Sequence, residues 1–269
     1  MRTHAGVVPA RFLPCLVIAL CTWASRPCVA QVLETETARL RVKGAVQAGT
    51  NVEVQTSAEG HELALPMLFE YGLTDHWELV IEPVGHTWIR PHTGPQATGP
   101  GDLEVTLEYL ARAESHALPA IAVAGEVKVP TARDTLIGTG QRDLAAYLIA
   151  SKRFGRLDTH VNVTYTWIGQ PPGTALSNIW GTALAGMYTV TPAVRLYGEV
   201  LTTTSATGQT EQAPPFGSAP IVAEAATQEL VGAIGAGIYV RPRWFLSLGV
   251  SYDNNGAWLI RPGITFRSK

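Results

Sequence analysis

Cysteine is almost missing from this sequence, and the only three lie at Cys15, Cys21 and Cys28. The body of the chain can therefore hold neither a disulfide framework nor a zinc site built from thiolates. A cysteine-free body suits export through an oxidising compartment.

Long apolar runs are also scarce, and the clearest one is Phe12–Trp23. Two arginines precede it, and a polar stretch after it ends in small residues at Val29 and Ala30. Basic, apolar and then small residues are the order of a secretory signal peptide. We expect residues 1–30 to be cleaved and residues 31–269 to form the mature domain. A buried helix of a soluble domain is the disfavoured alternative.

Basic charge is the next shortage. Loss of the predicted signal removes three arginines and no acid, which changes the formal net charge from −2 to −5. A net-acidic chain without basic runs argues against a nucleic-acid partner. No later apolar stretch approaches twenty residues, so the mature chain has no candidate transmembrane helix. Only helices and closed barrels satisfy their backbone polar groups in hydrocarbon, so a membrane location would require a barrel.

The dominant pattern of the chain is an alternation of polar and apolar residues, which is typical of β-strands, whereas helical periodicity is rare. The clearest example is 160–167, where Val161, Val163, Tyr165 and Trp167 oppose His160, Asn162, Thr164 and Thr166. Most alternating segments are long enough to cross a bilayer, which takes about 9–11 tilted residues. They lie at about 39–54, 61–73, 77–90, 101–112, 119–131, 141–154, 158–169, 178–190, 194–203, 226–240, 244–253 and 257–267.

The connections alternate between short and long. Tight turns near 74–76, 155–157, 191–193 and 241–243 are interleaved with longer joins near 91–100, 132–140, 170–177 and 204–225. An up-and-down membrane barrel has short periplasmic turns and long external loops. Aromatic residues also lie near the segment ends on the apolar face, as in the girdles of such barrels. A soluble exported β-sandwich is the alternative, but its strands are rarely so long.

These patterns predict an all-β protein, a single up-and-down antiparallel transmembrane β-barrel of about twelve strands. Its outer face would contact the lipid of the bacterial outer membrane, and the polar faces would line the lumen. The charged lumen-lining candidates are Arg41, Lys43, Glu70, Glu78, Glu82, Glu104, Glu108, Glu126, Lys128, Arg195, Glu199 and Arg261.

Two interpretations of these charges stay open. They could create a field across a polar pore, so that the barrel is a passive channel for small solutes. They could instead form ion pairs that fill the lumen of a structural or adhesive barrel, since charges in a water-poor interior need partners.

Recognisable catalytic motifs are absent. Gly138-Thr139-Gly140 lacks the lysine of a phosphate loop, no His-Glu-x-x-His occurs, and His86 and His92 flank a predicted external loop without a close carboxylate partner. We therefore expect no enzyme, no cofactor and no metal. A barrel-embedded enzyme is the remaining alternative, and it would need a nucleophile and a base within hydrogen-bond reach.

Several turns and strand starts resemble an outer-membrane family labelled MetA-pathway of phenol degradation. The matching motifs, in chain order, are Tyr71-Gly72-Leu73-Thr74-Asp75-His76-Trp77-Glu78-Leu79, Gly99-x-Gly101-Asp102-Leu103, Gly125-Glu126-Val127-Lys128-Val129-Pro130-Thr131, Gly138-x-Gly140-x-x-Asp143 and Ser151-Lys152-Arg153-Phe154-Gly155. The resemblance implies an outer-membrane barrel that passes small molecules, with aromatic or hydrophobic compounds among them. It carries no catalytic residue. The expected partners are membrane lipid, small-molecule solutes and, during biogenesis, the barrel-assembly machinery.

Overall fold

The computed structural model describes residues 33–206 and 228–268, which form one antiparallel β-sheet. The predicted signal peptide and residues 207–227 of the longest join lie outside the described residues. The strands are β1 (Val46–Asn51), β2 (Glu53–Thr56), β3 (Gly60–Gly72), β4 (Trp77–Pro91), β5 (Ala97–Gly99), β6 (Leu103–Arg112), β7 (Ala120–Val129), β8 (Asp143–Phe154), β9 (Leu157–Trp167), β10 (Ile179–Thr189), β11 (Val194–Thr203), β12 (Glu229–Arg241), β13 (Trp244–Asp253) and β14 (Trp258–Arg267).

The sheet closes on itself through its first and last strands. β1 and β2 are separated only by Val52, and both pair with β14 on one side and with β3 on the other. They therefore act as one strand, and β5 and β6 do the same beside β4. The described residues form a closed barrel of twelve antiparallel strands, as the alternating segments predict. None of the described residues forms a helix long and apolar enough to span a membrane.

Side chains alternate between the two faces of this wall. On β9, His160 and Asn162 are buried inside the barrel, whereas Val161 and Trp167 are 44% and 48% exposed on the outside. A strand with one apolar and one polar face can only satisfy both when lipid or a core covers the apolar one. Because the lumen side is polar, the exposed apolar side is the surface of a membrane barrel.

Aromatic rings lie at both ends of the barrel. Trp77 and Tyr109 contact each other at the end that carries the short turns, with ring centroids 4.7 Å apart. Tyr252 and Trp258 form the equivalent pair at the opposite end, also at 4.7 Å. All four side chains are exposed. Two bands of amphipathic rings are the girdles expected at the two membrane interfaces.

The predicted first strand, 39–54, is wrong at its beginning. β1 starts only at Val46, and the preceding residues turn back into the barrel instead of joining its wall. Gly44 has φ of +72°, and the Ala45 N–H donates to the carbonyl of Val42 at 2.9 Å, which makes a tight reversal. Arg41 therefore reaches the interior from a non-strand segment, and Lys43 is exposed at the turn.

Candidate functional site

Residues 33–45, called here the inner segment, cross the lumen in the half near the short turns, which is the periplasmic half in the orientation that the sequence predicts. At one end of the segment Leu33 packs against Met187, Tyr197 and Phe245, which belong to three different strands. Nearer the middle, Ala38 packs against a group of small and branched side chains on β7 and β8, which comprises Ala120, Ala122, Ala124 and Ile149. The segment therefore contacts several parts of the wall, and its packing depends on barrel closure.

Side chains of the wall bind the backbone of the inner segment. The Thr35 N–H donates to Oε2 of Glu199 at 2.6 Å, and the Ala38 N–H donates to Oγ of Ser151 at 2.9 Å. The Arg41 N–H donates to Oε2 of Glu78, also at 2.6 Å. Buried N–H groups require acceptors, and the segment has no neighbouring strand along these residues to provide them. Carboxylates and a hydroxyl take the place of a β-ladder.

Two arginines of the inner segment carry ion pairs. Nη2 of Arg39 lies 2.7 Å from Asp158 and 2.6 Å from Glu114, and Arg153 approaches the same Asp158 at 2.9 Å. Nε of Arg41 lies 3.5 Å from Glu70 and 3.5 Å from Glu78. These contacts close a charge network in the periplasmic half, because a buried ion requires a partner.

The pKa of Glu114, which lies in the connection between β6 and β7, is lowered. Desolvation is the largest single contribution and opposes this shift, but the backbone N–H of Arg153 and the side chains of Arg39 and Lys152 together outweigh it by stabilising the carboxylate. The Glu114 side chain is therefore ionised at neutral pH, and its carboxylate anchors Arg39.

A cavity of about 350 Å³ lies in the other half of the lumen, and residues Leu33 to Glu36 of the inner segment form part of its boundary. The wall contributes the rest, with both charged and apolar side chains. Among the residues that the structure describes, ten acidic ones but only two basic ones border this space. The cavity therefore has an excess of acidic groups, whereas the acids of the periplasmic half are paired with arginines.

The structure distributes the sequence-predicted lumen residues among three places. The cavity is bordered by Glu70, Glu82, Glu104, Glu126, Lys128 and Arg261. The inner segment carries Arg41 and is bonded by Glu78 and Glu199. Arg195 donates to the carbonyl of Thr191 near the periplasmic mouth and lies over the ring of Tyr239, while Glu108 is 4% exposed within the wall.

Sequence reasoning missed Glu34, Thr35 and Glu36 as lumen residues, because they precede the first alternating segment. A signal was present, since Glu34-Thr35-Glu36-Thr37 is polar throughout and offers no apolar face to lipid. Glu62 and Asn162 also border the cavity. The alternation of residues 160–167 places Asn162 on the polar face but gives it no functional role.

A serine and a histidine contact each other beneath the inner segment. Oγ of Ser151 lies 2.8 Å from Nδ1 of His160, which is hydrogen-bond distance for a nucleophile and its base. Both residues have 0% exposure, and Ser151 accepts the Ala38 N–H with the same oxygen. The pair lies outside the cavity and in this arrangement holds the inner segment. Within residues 33–206 and 228–268, no group of three or more His, Cys, Asp or Glu is placed to hold a metal.

Comparison with known proteins gives structural likeness without sequence likeness. No family model matches the chain, and no curated protein matches it. A NanC porin structure is similar with a TM-score of 0.57 and 11% identity, over 81% of this chain and 98% of that one. A KdgM porin in complex with disordered oligogalacturonate is similar with a TM-score of 0.55 and 11% identity, over 82% of this chain and 98% of that one. The likeness shows a shared fold, the closed β-barrel of outer-membrane porins.

Proposed function

We propose that this protein is an outer-membrane channel for small solutes, with the inner segment as its constriction. The observation that carries the proposal is a cavity inside a lipid-facing barrel, bounded partly by a segment that belongs to no strand. A barrel of about twelve strands has room for an interior path when its lumen is not filled by wall side chains alone.

The inner segment has the properties of a movable part. The wall is held by continuous antiparallel ladders, whereas the segment is held by separate side-chain contacts at Glu78, Ser151, Asp158 and Glu199. Elements with fewer cooperative contacts open at lower free energy than the sheet that surrounds them. Displacement of the segment would join the cavity to the periplasmic mouth and leave the wall intact.

Deletion of residues 33–41 tests the proposal. The deletion leaves the turn at Gly44 and all fourteen strand segments in place, so we expect a folded barrel with larger single-channel conductance than the full mature chain in planar bilayers. Absence of current steps in both proteins would contradict the channel proposal.

A tethered variant provides the matched control. The hydroxyl oxygens of Thr37 and Ser151 lie 3.3 Å apart, so Thr37→Cys with Ser151→Cys places two sulfurs near the bonding distance of about 2.05 Å. We expect oxidation to abolish large openings and reduction to restore them in the same protein. Equal conductance before and after reduction would show that the segment does not move during conduction.

A structural barrel with a filled lumen is the second candidate, and the ion pairs of Arg39 and Arg41 favour it. It predicts that the full chain conducts no ions and that its unfolding becomes markedly easier when residues 33–41 are removed. Bilayer recording with the full mature chain separates the two candidates, since only the channel conducts ions while the inner segment is present.

The finer points of this proposal come from the sequence. Transport of aromatic or hydrophobic compounds is implied by the family resemblance, and the cavity has apolar wall residues such as Leu68, Val80 and Leu201 that suit such contacts. Outer-membrane lipid around the apolar wall and the assembly machinery during insertion complete the proposed partners.

A further inference from the structure

The cavity has an excess of acidic groups that its own bases do not neutralise. Lys128 lies 2.5 Å from Asp143 and 3.8 Å from Asp102, and Arg261 pairs with Glu53 at 2.8 Å and also with Glu34. Both cavity bases are thus engaged by four of the ten acids. Among the described residues, Glu36, Glu62 and Glu104 form no ion pair.

Some of the remaining acids face one another directly. Glu82 on β4 and Glu104 on β6 are partners in the antiparallel register. Like charges at directly opposed positions destabilise a sheet. Glu36 of the inner segment adds a third carboxylate that repels Glu82. This arrangement favours a cation among the three groups.

Two buried acceptors at the cavity lack donors. Glu62 is 8% exposed and Asn162 is 4% exposed, and both border the cavity. Oε1 of Glu62 and Oδ1 of Asn162 have no hydrogen-bond partner within the part of the chain that the structure describes. The amide of Asn162 is oriented by its Nδ2, which donates to the carbonyl of Glu36 at 3.2 Å. Buried acceptors without donors are costly, and an ammonium group, which only donates, would satisfy them.

The remaining lining selects the kind of cation. The described carboxylates do not converge into a metal-binding group of three or more ligands. Leu68, Val80 and Leu259 border the same space and present hydrocarbon to it. A volume of about 350 Å³ is at the small end of ligand pockets. Separated carboxylates with apolar walls between them suit a short alkyl chain that carries ammonium groups.

We infer that this cavity binds small organic cations of the alkylammonium class, with Glu36, Glu62 and Glu104 facing the charged groups. The inference deepens the proposed function, because it names the solute class that the channel would admit. The apolar walls contact the alkyl chain, and Asn162 accepts a hydrogen bond from the ammonium.

Isothermal titration of the refolded full mature chain with putrescine tests the inference, and succinate is the anionic probe of similar length. The variant carries Glu36→Gln, Glu62→Gln and Glu104→Gln, and the matched control is Glu59→Gln, which removes one exposed charge from the β2–β3 turn outside the cavity. We expect putrescine to bind wild type and control equally. The triple variant should bind it about a hundredfold more weakly, since each carboxylate that faces an ammonium group at about 4 Å changes ion occupancy about fivefold even in the dielectric of water.

The outcomes separate the inference from the channel proposal. Equal binding of putrescine by the triple variant, no binding by wild type, or preferential binding of succinate would each overturn the inference. Conductance in bilayers without putrescine binding would leave the channel and remove the cation site. Putrescine binding without conductance in either the full chain or the 33–41 deletion would leave the cation site and contradict the channel.

Discussion

The two halves of the lumen treat buried charge in opposite ways. In the periplasmic half, Arg39 and Arg41 are bonded to Asp158, Glu70 and Glu78, so charge is matched locally. In the outer half, acids border a cavity in excess of bases, and Glu82 directly opposes Glu104. Matched charge holds an element in place, whereas unmatched charge creates a field that a solute can use. Carboxylates therefore hold the inner segment in the periplasmic half, whereas in the outer half they give the cavity an excess of negative charge.

The largest effect on the matched charges of the periplasmic half is expected at Asp158. Asp158→Asn removes the carboxylate that holds Arg39 and Arg153, and loss of one partner from a buried ion pair costs about 3 kcal/mol. We expect the inner segment to be held more weakly, with conductance between that of the full mature chain and that of the 33–41 deletion and with faster tryptic cleavage after Arg39 in reconstituted protein.

Asp134→Asn is the control for that substitution, since it removes a charge in the β7–β8 loop, where Oδ1 accepts the Leu136 N–H. Asparagine retains an acceptor there. Cleavage after Arg39 at the wild-type rate in Asp158→Asn would show that the ion pair does not hold the segment.

A second test changes packing without changing charge. Ala38 is 2% exposed against Ala122 and Ile149, so Ala38→Leu has no space for its added atoms. Overpacking of this kind costs about 1–3 kcal/mol. We expect faster tryptic cleavage of the inner segment and longer open times, with the barrel unchanged by circular dichroism. Ala38→Gly is the matched control, and both substitutions behaving alike would contradict a tight fit.

The smallest effect is expected from the opposed carboxylates in the outer half. Glu104→Gln removes one of two directly opposed like charges, and such cross-strand pairs contribute about 0.2–1 kcal/mol. We expect the urea midpoint of unfolding to rise slightly, opposite in sign to the effect of Asp158→Asn. A lower midpoint in Glu104→Gln would mean that the outer carboxylate stabilises the wall.

The barrel wall was predictable because its signal is local. The alternation of residues 160–167 places His160 and Asn162 inside and Trp167 outside, and the structure has that arrangement. A strand in lipid must expose one apolar face, so each segment shows the polar–apolar alternation by itself. The segments predicted at 141–154 and 226–240 form β8 and β12, and each of these strands pairs with a neighbour on both sides.

The inner segment was not predictable by the same rule. Arg39-Leu40-Arg41-Val42-Lys43 alternates as a strand does, so its period does not distinguish it from the wall. Its actual partners, Glu78, Ser151, Asp158 and Glu199, are spread over the chain and come together only when the barrel closes. Long-range contacts of this kind leave no local pattern.

The amino-acid sequence by itself determined the all-β wall, the strand number and the direction of its apolar face, because each depends on residues two positions apart within one strand. Only the tertiary structure decided that residues 33–45 occupy the lumen and that acids outnumber bases in the remaining cavity. Side chains from distant strands meet there, and whether a buried charge is matched depends on which of them meet.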